Sequence, residues 1–326
     1  MLKKIVNHAQ IELKIIPIDP ILIKSGQATV GGTNMSFVRT YRFGEKAKFY
    51  IPGSSIKGVF RSYSEKICRS LRDDSQSVPV CLPYLDPGRE PSTGERGQAS
   101  CGLQFDSLRK VNVPSQEVYR CSCPTCRLFG SHGFVGRFAA SDAYPVDGVT
   151  MVEEIRDGVA IDRLTGGAAP GAKYDLEVLA RGELTTTLEI RNFERWQLGL
   201  VSLVLRDMED GLVRIGYGKS RGLGRIKAVI SLFRITYYGR RVATLVGLGS
   251  NCSQETCSAY GFFPETNAVS PSLPEPVTKG LRHEYNVTKN WKDVAQPAVD
   301  DLVSYIQGVD WPQILQSYLR NIKGRK

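Results

Sequence analysis

Residues 182–239 read GELTTTLEIRNFERWQLGLVSLVLRDMEDGLVRIGYGKSRGLGRIKAVISLFRITYYG, and this stretch decides the fold class. Its first eleven positions, 182–192, alternate polar and apolar residues, which predicts a β-strand. Apolar residues at helical spacing over Trp196–Met208, followed by Glu-Asp-Gly at 209–211, predict a helix that ends there. Residues 225–239 are rich in β-branched and aromatic residues, so they predict one long strand or a pair of strands.

A second strand and helix precede this stretch. Residues 9–24 are rich in Ile and Leu and predict a strand interrupted near its two prolines. Residues 56–71 carry apolar side chains near helical spacing, and Ser54 or Ser55 is a suitable N-cap for this amphipathic helix. Strand-like patterning resumes at 134–156. Two strand–helix–strand units in succession predict an α+β protein with a ferredoxin-like (RRM-like) sheet, whereas a doubly wound fold needs more helices between strands.

The remaining segments are expected to be insertions and an extension. Residues 72–120 are rich in Ser, Pro, Gly and charged residues, so we predict an irregular insertion, spanning about 72–133, that something other than a core holds together. Residues 157–182 are rich in Gly and Ala and dense in turn signals. We therefore expect one domain over residues 1–245 and a C-terminal extension of loop and short helices over 246–326.

The balance of charge is basic. The 326 residues include 43 Lys plus Arg against 33 Asp plus Glu, for a net charge of +10. A polyanion is therefore the first partner to expect. The hydrophobic fraction of 41% excludes global disorder. Neither a membrane span nor a signal peptide is found, which predicts a cytoplasmic protein whose clustered cysteines bind metal rather than pair as disulfides.

Three cysteines crowd into six residues, Cys121-Ser-Cys-Pro-Thr-Cys126. The C-x-x-C spacing from 123 to 126 lets two thiolates hold one zinc ion in a tight turn, and a structural site needs two further ligands. Two more cysteines lie in the irregular insertion, where a metal would stabilise the chain. Our preferred zinc ligands are Cys81, Cys101, Cys123 and Cys126. Cys121 is the main substitute, Cys68 and His132 are further options, and Cys252 and Cys257 stay unassigned.

The run RIGYGKSRGLGRI at 214–226 combines four glycines with basic residues. Glycines let a backbone approach a phosphate and present its N–H groups, while the basic side chains supply charge. A dinucleotide fingerprint would lie between a strand and a following helix, but this run follows a helix and leads into a strand. The alternative is an ordinary Gly-rich turn with solvated basic residues. We favour contact with an RNA backbone, through Gly218, Lys219 and Arg221.

Composition by itself proposes no enzyme. The chain has 3 His residues, scattered along the sequence, which leaves little for an acid–base or triad site. Asp142, in a strand-like stretch, and Asp162, in Ile-Asp-Arg, are candidate carboxylates. At each of them a cap, a turn or an ion pair is the more common role.

Several of these segments together resemble the RAMP superfamily, and more closely the backbone subunits of type III CRISPR effector complexes. The resemblance covers about residues 9–235. It is carried, in this order along the chain, by Pro-Gly-Ser-Ser-Ile-Lys-Gly at 52–58, Cys-Pro-Thr-Cys-Arg-Leu-Phe-Gly-Ser at 123–131, Gly-Arg-Phe-Ala-Ala-Ser-Asp-Ala at 136–143, Ile-Asp-Arg at 161–163 and the glycine-rich run.

The resemblance implies an RRM-like core, a helix that faces the guide RNA, and a β-hairpin "thumb" at about 151–182 that wedges between bases. It implies RNA contacts from Ser54, Ser55, Lys57 and Arg61. Phosphate contacts of this kind position an RNA without reading its sequence, and base pairing then reads the target. With the glycine-rich run, the predicted RNA-binding residues are Lys24, Ser54, Ser55, Lys57, Arg61, Arg163, Gly218, Lys219 and Arg221.

One departure from the family bears on catalysis. Target cleavage in the family uses an Asp about seventeen residues before the Pro-Gly-Ser-Ser helix, and that position is Met35 here, between Asn34 and Ser36. A thioether or an amide cannot take a proton from a 2′-hydroxyl as a carboxylate can. We therefore expect a non-cleaving subunit that binds guide RNA, complementary target RNA and other subunits, with structural zinc as its cofactor.

Two alternatives stay open. The first is a cutting subunit of the same complex, using a carboxylate from elsewhere, such as Asp142 or Asp162. The second is a stand-alone endoribonuclease that processes precursor guide RNA. The insertion and the thumb favour assembly over a stand-alone role.

Overall fold

The structure is a computed structural model. It describes residues 3–26, 35–41, 47–73, 77–87, 99–106, 113–266 and 269–323. Asn34 lies outside these ranges, and Met35 lies inside them.

The strands and helices of the described residues come in groups along the chain and do not strictly alternate. In chain order, the strands are β1 (Asn7–Pro17), β2 (Arg39–Thr40), β3 (Lys48–Phe49), β4 (Gly130–Ser131), β5 (Phe134–Val135), β6 (Phe138–Ala140), β7 (Tyr144–Pro145), β8 (Val152–Ile161), β9 (Ala168–Arg181), β10 (Leu184–Arg191), β11 (Ile226–Tyr238), β12 (Val277–Lys279) and β13 (Arg282–Asn286). The helices are α1 (Gly53–Ser70), α2 (Cys101–Asp106), α3 (Ser115–Arg120), α4 (Pro124–Phe129), α5 (Arg195–Glu209), α6 (Gln254–Tyr260), α7 (Trp291–Gly308) and α8 (Trp311–Lys323).

The main sheet is antiparallel, with strand order β12-β13-β11-β1-β10-β6, and β7 also pairs with β10. Along the chain, β1, α1, β6, β10, α5 and β11 follow one another as the β-α-β-β-α-β succession of a ferredoxin-like fold. In β1, alternate residues from Asn7 to Ile15 are buried, because one face of the sheet packs against the helices. Residues 226–238 form a single strand and not a pair.

The start of α1 differs from the expectation. The helix begins at Gly53 with Pro52 as its N-cap, so neither Ser54 nor Ser55 is the capping residue. Asp142 takes over the capping role from another part of the chain, because its Oδ1 accepts the Gly53 N–H at 2.7 Å. The side chains of both serines are therefore not required to cap α1.

Residues 77–87, 99–106 and 113–135, which we call the cysteine module, contain an apolar cluster of their own. Phe105, Tyr119 and Phe134 pack there with Trp311 and Leu315 of α8. The insertion thus has a small core, contrary to the expectation that it lacks one. A metal would add to this core and not replace it.

The region after residue 246 shares the sheet and the main core. Strand β13 pairs with β11, and β12 pairs with β13. Helix α7 packs against α5, where the buried Arg195 donates to both carboxylate oxygens of Asp301 at 2.6 and 2.9 Å. A bidentate buried pair of this kind ties the two helices together in one orientation.

Candidate metal centre and nucleic-acid interface

Four buried cysteines meet in the cysteine module. The Sγ atoms of Cys81, Cys101, Cys123 and Cys126 all lie within 4.8 Å of one another. Cys81 Sγ is 3.6 Å from Cys126 Sγ and 3.7 Å from Cys123 Sγ. These separations are well above the ~2.05 Å of a disulfide. They match the edge of about 3.8 Å that a tetrahedron of sulfurs has around zinc at ~2.3 Å, so the residues fit a zinc ion.

The C-x-x-C turn shapes its half of this cluster. Cys123 is the N-cap of α4, Pro124 follows at the first helical position, and Cys123 Sγ accepts the Cys126 N–H at 3.5 Å. Burial alone would raise the pKa of the Cys123 thiol, but hydrogen bonds from the Cys101, Cys126 and Cys81 thiols hold that pKa well below its ordinary value. The deprotonated thiolate is the form that binds metal.

The alternative ligands lie outside the cluster. Cys68 and Cys121 are buried, but neither belongs to the group of four. His132 is exposed and pairs with an aspartate of α2. Cys252 and Cys257 lie apart from the cluster near α6, where Cys257 Sγ donates to the Gly249 carbonyl at 3.4 Å.

A second feature is the Gly-rich loop, residues 214–225, between α5 and β11. The loop is closed by the Ile215 N–H, which donates to the Gly224 carbonyl at 2.8 Å. Gly216 has φ +75°, and a Cβ there would lie 2.3 Å from the Leu22 carbonyl oxygen. Only glycine fits this approach without moving the backbone. The loop is therefore held against the segment that follows β1.

Beside the Gly-rich loop, two cations and two tyrosines form a cluster. Lys24 Nζ lies 4.9 Å from the centre of the Tyr217 ring, and the Arg221 guanidinium lies 5.1 Å from it. Arg221 also donates to the Tyr217 hydroxyl at 2.8 Å and to the Tyr174 hydroxyl, on β9, at 2.9 Å. Tyr174 lies over Gly158, where a Cβ would be 2.3 Å from the ring. The interleaving of Tyr217 with Lys219 and Arg221 was the available signal for this cluster, but nothing local pointed to Tyr174.

The first turns of α1 lie next to the Gly-rich loop. Ser55 and Gly216 line the same small apolar cavity of about 40 Å³. Ser54 is exposed and Ser55 is half-buried. Gly218, which has φ +72°, continues the loop beyond this point of contact. The structure thus places two of the predicted RNA-binding segments side by side.

Lysines on these two segments lie without acidic partners. Among the described residues, no carboxylate pairs with Lys57 or Lys219. Burial lowers the pKa of Lys57, and the Arg61 charge lowers it further. Burial and the Lys66 charge act on the Lys219 pKa in the same direction. Cations that repel one another in this way are stabilised by a bound anion.

Arg61 is oriented differently from its neighbours on α1. Its Nη2 donates to Cys126 Sγ at 3.3 Å, its Nη1 to the Gly130 carbonyl at 3.2 Å, and its Nε to Glu65 Oε1 at 3.3 Å. The side chain is 28% exposed. The guanidinium is thus turned toward the cysteine module.

Strands β8 and β9 form a long antiparallel hairpin within the predicted thumb range of 151–182. Most of β8 is exposed. At the turn, Asp162 accepts the Leu164 N–H at 2.9 Å and the Thr165 hydroxyl at 3.2 Å, so its carboxylate supports the turn. Arg163 is exposed at this tip, beyond Gly158, the residue opposite Tyr174 in register.

A comparison with family models agrees with this arrangement. Residues 14–227 match the model of the RAMP superfamily. The chain belongs to the RAMP superfamily. Membership implies a CRISPR-associated RNA-binding role and association in CRISPR complexes. A search of curated proteins returned no match.

The RAMP match runs from β1 into the first residues of β11. It therefore includes α1, the cysteine module, the hairpin and the Gly-rich loop, whereas α6–α8, β12 and β13 follow it. Within the described part of this RAMP protein, no helix has the length and apolar character needed to cross a membrane.

Met35 lies beside the middle of the hairpin, where it bridges Leu176 of β9. Its N–H donates to the Asp175 carbonyl at 3.2 Å, and its carbonyl accepts the Glu177 N–H at 3.1 Å. Glu177, next to the bridge partner Leu176, accepts with its carboxylate from the Phe37 N–H at 2.8 Å and from Arg39 at 2.5 Å. The Glu177 carboxylate, an acidic group near Met35, is thus already bound by structural partners.

Proposed function

We propose that the chain is a guide-RNA-binding backbone subunit of a type III CRISPR effector complex, and that it does not cleave the target. One observation carries the proposal: α1 and the Gly-rich loop adjoin and present Lys57 and Lys219 without described acidic partners, next to the Lys24–Arg221 cluster. A surface of cations, hydroxyls and glycine backbone suits a phosphate chain of any sequence. Base pairing between guide and target would then supply the specificity.

The hairpin fits the role of a thumb in this proposal. Its β8 strand is exposed, and its outer half is bound to the Gly-rich loop through Tyr174 and Arg221. A projecting hairpin anchored beside the phosphate-binding surface is placed to separate bases of the guide–target duplex. Arg163, at the exposed tip, would reach RNA only at some distance from the α1 surface.

Zinc is the proposed structural cofactor, held by the four clustered cysteines. The ion would join Cys81, which follows α1, to Cys101 on α2 and to the C-x-x-C turn that opens α4. These segments are far apart in sequence, so the four-thiolate site exists only in the folded module, and the free energy of metal binding favours that folded form.

The absence of cleavage rests on the positions of the carboxylates. Met35 stands where the family has its catalytic Asp. The two substitutes considered from the sequence have structural partners, because Asp142 accepts from the Gly53 N–H and from the Tyr144 hydroxyl, and Asp162 supports the hairpin turn. A carboxylate held in this way is less able to act as a base.

A reconstituted complex tests this proposal. The chain is co-expressed with the other subunits and a guide RNA, and residues 33–36 are replaced by alanine. We expect the guide to co-purify with both forms and the number of target cuts to be unchanged, because no catalytic group is removed. The matched control makes the same replacement in a subunit of the complex that has Asp at this position, where one cut should disappear.

Three results would contradict it. The loss of a cut on changing residues 33–36 makes this chain a cutting subunit. Cleavage of precursor guide RNA by the isolated chain makes it a processing endoribonuclease. A complex that assembles without guide RNA touching this chain, measured by crosslinking, removes the guide-binding role.

A further inference from the structure

Arg61 follows the Pro-Gly-Ser-Ser-Ile-Lys-Gly motif on α1, and the resemblance implies that it contacts RNA, yet its hydrogen bonds are to other parts of the protein. Its two terminal nitrogens donate to Cys126 Sγ, inside α4, and to the carbonyl of Gly130, the residue that ends α4. Its Nε donates to Glu65, one turn further along α1. All three nitrogens therefore have partners within the protein, and two of these partners belong to the cysteine module.

We infer that Arg61 is a positioning residue that couples the metal centre to α1, and that it does not bind a phosphate. This inference rests on the proposed zinc site and RNA surface. Four thiolates around one divalent cation leave a net negative charge, which a guanidinium at 3.3 Å from one sulfur offsets. Groups that hydrogen-bond metal ligands fix their orientation and raise the affinity for the metal.

The position of Arg61 on α1 makes this coupling mechanical. Lys57 lies one turn before it on the same helix and has no described acidic partner, whereas Arg61 forms hydrogen bonds with the cysteine module. The helix that carries Ser54 and Lys57 is thus bonded at its middle to Cys126, inside α4, and to Gly130, which ends α4. Metal loading would hold α4, and through Arg61 would hold α1 in the orientation that the RNA surface requires.

Two measurements on the full chain separate this role from a phosphate contact. The first is the rate of zinc release to a chromogenic chelator. The second is the slope of the logarithm of RNA affinity against the logarithm of salt concentration, with a single-stranded RNA as probe. The variants are Arg61→Gln and Arg61→Lys, and the control is Lys57→Gln on the same helix.

We expect Arg61→Gln to lose zinc about 10- to 100-fold faster and to keep the wild-type salt slope. Lys57→Gln should release zinc at the wild-type rate and lower the slope by about 0.7, the value for one contact to a single strand. Arg61→Lys keeps the charge without the forked geometry, so it should release zinc at an intermediate rate and also keep the slope.

The inference is overturned if Arg61→Gln lowers the slope as Lys57→Gln does while zinc release is unchanged. It is also overturned if the wild-type chain purifies without zinc. If RNA binding is absent but Arg61→Gln still accelerates zinc release, the proposed RNA function fails and the metal coupling stands. Arg61→Lys supplies both readouts if the Gln variant does not fold.

Discussion

Gly53 shows how one residue sets the position of helix α1. A Cβ at this position would lie 2.2 Å from the Ala140 carbonyl oxygen, whereas a Cβ at Gly58, one turn later, meets nothing within 4 Å. We expect Gly53→Ala to lower the free energy of unfolding by about 1–3 kcal/mol, because the helix must move away from β6. Gly58→Ala should raise it by up to about 1 kcal/mol, through helix propensity. Urea denaturation measures both.

Equal effects of the two substitutions would contradict this account. Each replaces a glycine of α1 by alanine, so helix propensity alone predicts the same sign for both. Only the contact with Ala140 separates them. The same contact explains why the capping group is Asp142, since it comes from the segment that follows β6.

The cysteine module is the element whose stability should depend on metal. Its segments meet at four buried sulfurs, and its apolar cluster is smaller than the main core. We expect a strong chelator, or Cys101→Ser, to increase amide hydrogen exchange in α2–α4 by at least tenfold. Exchange in β1 and β10 should be unchanged, because these strands belong to the main core. Mass spectrometry after exchange locates the effect.

Cys121→Ser is the matched control, because Cys121 is buried in the same module but outside the group of four. This substitution should not change hydrogen exchange in α2 and α4. A chelator should still increase that exchange in the variant. Protection that is independent of the chelator would show that the apolar cluster alone holds the module.

At the scale of the whole molecule, the net charge of +10 favours RNA binding only where cationic side chains face solvent without acidic partners. We expect affinity for single-stranded RNA to fall steeply with salt and to differ little between unrelated sequences of equal length, since phosphates release counterions on binding. The triple variant Lys57→Gln, Lys219→Gln, Arg221→Gln should lower the salt slope by about 2, at about 0.7 per contact. Fluorescence anisotropy over a salt series measures the slope.

A control variant that removes the same number of positive charges elsewhere tests whether RNA binding depends on this site or on net charge alone. Lys289→Gln, Arg240→Gln and Arg320→Gln remove three exposed cations elsewhere on the chain. This control should keep most of the wild-type slope. If both triple variants lose the same amount, the binding follows from overall charge and the α1 surface has no special role.

Much of the fold was predictable because its signals are local. The alternation over 182–192 and the helical spacing over Trp196–Met208 each reflect one face packed against a core, so the strand and the helix followed from pattern alone. The turn signals at 157–182 were less informative. That segment forms most of a long hairpin, because β8 and β9 satisfy each other's hydrogen bonds and need no core.

The candidate site likewise has some features with local sequence signals and others that depend on contacts between distant residues. The C-x-x-C spacing and the coincidence of glycine with basic residues are visible in short windows, and they pointed to a metal and to a phosphate chain. Cys81 and Cys101 could be preferred only because they lie in the insertion. Tyr174 lies 47 residues from its partner Arg221, so no window contains both.

The sequence by itself determined the order of the main strands and helices, β1, α1, β6, β10, α5 and β11, together with the basic charge, the C-x-x-C turn and the missing carboxylate at Met35, since each depends on residue types at short spacing. The tertiary structure decided which cysteines meet, which cations stay unpaired and where Arg61 points. These depend on contacts between segments tens of residues apart, such as the 65 residues between Arg61 and Cys126. Packing of the whole chain brings such segments together, and no local preference records the result.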